Sequence, residues 1–151
     1  MSRQILLCSI AIALLASAAC SKGTTESAPA ELPSVRAEAE SGNATAQHNL
    51  GRMYATGDGV PKDSTEAAKW FRKSAEQGDA GAQFYIGAMY AKGDGVPKDL
   101  VQAHAWWNIA GSQGFEDAKK GLVSLEKEMT PDQKAEAMKL PREMFARLEK
   151  K

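Results

Sequence analysis

The stretch GDGVPKD occupies residues 57–63 and recurs, letter for letter, at 93–99. The copies are 36 positions apart, and the register extends well beyond them. ATAQHNLGRMYATGDGVPKDSTEAAKWFRKSAEQGD (44–79) overlays AGAQFYIGAMYAKGDGVPKDLVQAHAWWNIAGSQGF (80–115) without a gap, with about half of the positions identical. The pattern runs off both ends: VRAEAESGN (35–43) aligns with FRKSAEQGD (71–79), and EDAKKGL (116–122) aligns weakly with AGAQFYI (80–86). A period of this length marks stacked supersecondary units, each too small to bury its apolar face alone.

Within each unit the apolar residues keep helical spacing twice. Ala46, Leu50, Met53 and Tyr54 form one stripe, and Ala67, Trp70, Phe71 and Ala75 a second. The heptapeptide lies between them and reads as a connector. Gly57 and Gly93 stand where the first helix ends and a left-handed residue is wanted. Pro61 and Pro97 keep the helix from resuming early, and Val60 and Val96 are placed to plug the gap between helix ends. Asp63 precedes Glu66 by three, and Asp99 precedes Gln102 by three, which is capping-box spacing. A phosphate loop would need G-x-x-x-x-G-K-[ST], or G-x-G-x-x-G after a strand, and a calcium loop more oxygen ligands than Asp58 and Asp63 supply.

Ala-x-x-Leu/Ile-Gly-x-x-Tyr, then Gly-x-Gly-Val-Pro-x-Asp, then Ala-x-x-Trp, then a Gly before the next unit resembles the Sel1-like repeat (SLR), a 36-residue relative of the tetratricopeptide repeat (TPR). The C-terminal SLEKEMTPDQKAEAMKL (124–140) is similar to the segment that closes bacterial members. The resemblance implies an all-α fold, a short right-handed α-solenoid of antiparallel helix pairs, with the first helix of each pair lining a concave groove. It also implies a non-enzymatic scaffold engaged in protein–protein interaction. The alternative is a periplasmic cell-wall hydrolase or β-lactamase-like SLR enzyme, but such members are rich in cysteine pairs, which this chain lacks.

The first residues are of another kind. Arg3 precedes the apolar run ILLCSIAIALLA (5–16) and the small residues SAAC (17–20), the order of an export signal and too short an apolar run to span a bilayer. LLASAAC (14–20) resembles the lipobox of bacterial lipoproteins, with Ala19 and Cys20 matching and Ser17 where Leu is usual; the rival is ordinary cleavage at Ala16-Ser17-Ala18. Cys8 would be discarded with the signal, so Cys20 cannot form an internal disulfide, and lipidation gives it a role. With Ser21 rather than Asp after the cysteine, the lipoprotein resemblance implies sorting to an outer membrane, facing the periplasm; a soluble periplasmic or secreted protein is the alternative. The expected organisation is a signal peptide at 1–19, a flexible tether at 20–33, repeats at 34–128 and C-terminal capping helices at 129–151.

Lys plus Arg and Asp plus Glu both number 19, so no polyanion such as nucleic acid is indicated as a partner. No H-E-x-x-H, CxxC or G-x-S-x-G occurs, and His48 and His104 alone make a poor metal site; no cofactor or metal is expected. His48 reads as a surface residue, and His104 takes the place of Ala68 on a second helix. Trp70, Trp106 and Trp107 fall on core positions, and Met129, Met138 and Met144 read as packing.

The two copies can also be compared with each other. The outward first-helix positions that differ are Thr45, His48, Asn49, Arg52 and Thr56, against Gly81, Phe84, Tyr85, Ala88 and Lys92. They follow one helical stripe, opposite the apolar one. His48, Asn49, Arg52, Phe84, Tyr85 and Ala88 are therefore the candidate groove residues for a protein or peptide partner. Phe84 has a second reading, as packing against the neighbouring repeat. At the C-terminus, Thr130-Pro131-Asp132-Gln133 predicts a capped helix start after a shortened loop, and Pro141 a break after Leu140 with a short last helix from Pro141.

Overall fold

The computed structural model describes residues 32–148. They form eight helices: α1 Leu32–Glu40, α2 Ala44–Thr56, α3 Ser64–Ala75, α4 Ala80–Lys92, α5 Leu100–Ser112, α6 Glu116–Leu125, α7 Pro131–Ala137 and α8 Leu140–Leu148. No strand occurs among the described residues. The signal, Cys20 and most of the tether lie outside them.

Each repeat is a helix pair, α2 with α3 and α4 with α5, and the pairs stack through α3 against α4. Helix α1 packs on α2 as the second helix of a preceding partial pair, and α6 packs on α5 as the first helix of a following one. The fold is thus an all-α solenoid of antiparallel helix pairs. The apolar stripes read from the sequence are its core: Ala46, Leu50, Met53, Tyr54, Ala67, Trp70, Phe71 and Ala75 are all buried in one cluster with Ile86, Met89, Trp106 and Ile109. Fully burying a side chain such as Phe71 or Ile86 contributes ~1.5–3 kcal/mol, against ~1 kcal/mol for a helix cap. Burial therefore stabilises the stack, and the caps set where each helix starts.

The heptapeptides do this twice over. Gly57 and Gly93 are left-handed (φ 82° and 74°), and their N–H groups donate to the Met53 and Met89 carbonyls. Asp63 Oδ1 accepts from the Thr65 and Glu66 amides at 2.9 and 3.0 Å, and Asp99 Oδ1 from Val101 and Gln102 at the same distances. Val60 is buried and Val96 half-buried against the core. The reciprocal half of the capping box does not form at Asp63. Glu66 turns instead to Lys69, 2.5 Å away, and that hydrogen bond raises the lysine pKa.

Between pairs, polar contacts repeat with the period. Arg36 donates to the Tyr54 hydroxyl and Arg72 to that of Tyr90. Gln47 and Gln83, both buried, donate to the Ala39 and Ala75 carbonyls at 2.9 and 3.1 Å and accept from Gln77 and Gln113. These amides satisfy helix-end carbonyls that stacking removes from water.

The C-terminus closes the array. Thr130 and Gln133 form a reciprocal capping box with Pro131 at the first helical position. Helices α7 and α8 pack on α5, and Leu125, Met129 and Ala137 are buried with Ala103 in a second cluster. The break falls at Met138–Lys139 rather than after Leu140, so α8 begins at Leu140 with Pro141 in its first turn, where a missing N–H costs nothing. Of the methionines, Met138 is 67% exposed, which corrects its reading as packing.

Candidate partner-binding face

The candidate groove residues sit on α2 and α4, which are adjacent. His48 meets Tyr85 edge-on with ring centroids 5.6 Å apart. Asn49, Arg52 and Tyr85 are exposed, Ala88 half-buried, and neither the Asn49 nor the Arg52 side chain has a hydrogen-bond or ion-pair partner among the described residues.

Tyr85 is 40% exposed, yet its ring is held in place. Its ring lies flat on Phe71 of α3, with centroids 5.0 Å apart and planes 16° apart. His48 and Phe84 meet it edge-on from two sides. Phe71 itself is buried against Gly51, where a Cβ would stand 2.9 Å from the ring. An aromatic anchor fixed in this way loses little rotamer freedom when a partner covers it.

His48 departs from its sequence reading, and Phe84 follows one of its two. His48 is not a free surface residue. Its Nδ1 is 2.8 Å from Asp79 Oδ1, its side chain is only 18% exposed, and its ring meets Phe71 edge-on. Asp79 Oδ1 also accepts the Ala82 amide at 2.6 Å as the N-cap of α4, so this carboxylate joins the two repeats structurally. Phe84 follows the packing alternative. It stacks on Trp107, with centroids 6.0 Å apart, and lies 5.2 Å from Phe115. Trp107 is correspondingly half-buried rather than core, with its Nε1 donating to the Phe84 carbonyl at 2.9 Å.

The sequence carried a signal for both outcomes. One period on, His48 becomes Phe84 and Asp79 becomes Phe115, so a polar pair has been exchanged for an apolar pair. Paired replacement of two residues 31 positions apart marks a contact between repeats, visible only when both positions are compared together. Asn49, Arg52 and Tyr85 have no such coupled partner, and these three are the candidate groove residues that remain exposed.

His104 is buried on α5. Its Nε2 lies 3.3 Å from Glu126 Oε1, while its Nδ1 has no hydrogen-bond partner. No group of three or more His, Cys, Asp or Glu that could hold a metal occurs among the described residues, and none of their helices is long and apolar enough to cross a membrane.

A description of the Sel1 repeat matches residues 44–79 and 80–115, the two windows set by the heptapeptides. A Sel1 repeat protein from Oxalobacter formigenes is 44% identical, with a TM-score of 0.60 over 62% of this chain and 70% of its own. The chain belongs to the Sel1 repeat family. It is also similar to a protective antigen of uropathogenic Escherichia coli strains that displays an SLR fold, at 35% identity and a TM-score of 0.78 over 83% of this chain. This chain spans 27% of that antigen's length. No curated protein matches the sequence. Sel1 repeat proteins are known for protein–protein interaction and are typically non-catalytic scaffolds.

Proposed function

We propose that this Sel1 repeat chain is a non-enzymatic adaptor that presents the α2–α4 face to a protein or peptide partner, tethered to a bacterial envelope membrane by lipid on Cys20. The observation that supports it most is Tyr85, a large ring 40% exposed yet clamped flat on buried Phe71. A core residue would be covered, and a residue left exposed by chance would not be held from three sides. On the same stripe, the Asn49 and Arg52 side chains offer hydrogen-bond donors that no group among the described residues uses. Aromatic and arginine side chains at the centre of an interface carry most of its binding energy.

Replacing Arg52 and Tyr85 together by Ala is expected to abolish capture of the partner from envelope extracts while helicity and melting stay as in the wild type. Unchanged capture would remove this face from consideration. The anchor is tested separately: Cys20→Ser moves the protein from the membrane to the soluble fraction if Cys20 is lipidated. A wild-type protein already soluble would favour cleavage at Ala16-Ser17-Ala18.

A further inference from the structure

The charge on the α2–α4 face narrows the partner's chemistry. Helices α2 to α5 carry five cations, Arg52, Lys69, Arg72, Lys73 and Lys92. Three are engaged on the second-helix side. Lys69 pairs with Glu66, Arg72 donates to the Tyr90 hydroxyl, and the Lys73 ammonium sits 4.2 Å above the Trp70 ring. The remaining two, Arg52 and Lys92, both lie on the first-helix stripe and are exposed, and neither charged group has an ion pair or hydrogen bond among the described residues. Lys92 lies in the last turn of α4, where the negative end of the helix dipole favours a cation.

Neither α2 nor α4 contains a single carboxylate. Asp79, at the N-terminal end of the stripe, is occupied by His48 and by the Ala82 amide, and Asp58 and Asp94 lie beyond the helix ends in the loops. The face therefore combines an aromatic platform, Tyr85, with cations at Arg52 and Lys92 and no compensating negative charge on its own helices. On α6 the equivalent stripe is different: Asp117 and Lys120 pair with each other at 3.3 Å, and Gly121 replaces Tyr85.

We infer that the partner of this face, if the adaptor reading above holds, is an acidic peptide segment that lays an apolar or aromatic residue on Tyr85 and sets carboxylates against Arg52 and Lys92. Two cations are few for a polyanion that gains affinity by neutralising many phosphates, whereas they suit a short segment recognised together with an apolar anchor. Opposite charge across such an interface steers encounter and excludes basic competitors.

The test is selection of a random peptide library on the full chain, followed by fluorescence anisotropy with the enriched peptide. The expected peptides are rich in Asp and Glu around an aromatic or apolar residue and bind less tightly as salt rises. The Arg52→Glu/Lys92→Glu variant should weaken them by at least about tenfold, because like charges then face each other. A Lys69→Glu/Lys139→Glu variant, with the same net charge, should leave them bound. If charge reversal costs folding, Arg52→Gln/Lys92→Gln reads the same contact. Selected peptides without acidic enrichment, or indifferent to charge reversal, overturn the inference; if they still depend on Tyr85, the adaptor face stands without it. No peptide that depends on Tyr85 or Arg52, or no selected peptide at all, counts against both. Charge-dependent sedimentation with phosphatidylglycerol vesicles in place of peptide binding would assign the cations to a lipid surface and overturn it as well.

Discussion

Gly51 and Gly87 occupy the same place in the two repeats, and the reason is the partner helix. A Cβ at Gly87 would stand 2.5 Å from Trp107 Cδ1 and 2.7 Å from its Nε1, and that nitrogen is committed to the Phe84 carbonyl. In an open helix, Gly→Ala gains ~1 kcal/mol, and overpacking costs ~1–3 kcal/mol, so the contact decides the sign. Gly87→Ala is expected to destabilise by ~1 kcal/mol or more, read as a lower urea midpoint with an unchanged slope. At Gly111 the nearest atom is Lys119 Cγ, 3.2 Å away on a flexible side chain, so Gly111→Ala should be neutral or stabilising. A stabilised Gly87→Ala would mean that the Trp107 ring yields, and with it the close approach of α4 to α5.

At the scale of elements, the connectors and the cap follow different rules. The heptapeptides were legible because each letter has one local job: a left-handed glycine, a proline stop, an aspartate cap. The C-terminal break was displaced from its expected place because tertiary packing, not Pro141 alone, ends α7: Ala137 is buried against α5, and Met138 is turned out to solvent. Helices α7 and α8 do for α5 what another repeat would do, covering Ala103, Leu125 and Met129. Ending the chain before Thr130 therefore leaves an apolar face open, which is what terminal repeats exist to prevent. Such a truncation is expected to melt at lower temperature and to associate as its concentration rises, seen by analytical ultracentrifugation. A monomer of undiminished stability would show that α7 and α8 are dispensable.

For the whole molecule, the period identified the solenoid, since two units alike at about half their positions, with an apolar stripe on each helix, bury those stripes by stacking. The face was only partly legible. Comparing the copies separated Asn49, Arg52 and Tyr85 from the core, but whether His48 and Phe84 stayed outside depended on Asp79 and Phe115, one helix pair further on. Long-range contacts of that kind follow from stacking geometry and carry no local pattern. The fold leaves Tyr85 held on Phe71, on the stripe that also carries Arg52 and Lys92, in a family of scaffolds, and a partner that covers that ring in the cell is the central expectation. The direct measurement is photo-crosslinking in living cells with a photoreactive phenylalanine analogue at position 85, and at exposed Lys69 of α3 as the reference. A discrete adduct is expected from position 85 that disappears with Arg52→Glu, and none from position 69; adducts from both positions alike, or from neither, would rule out Tyr85 as the covered anchor.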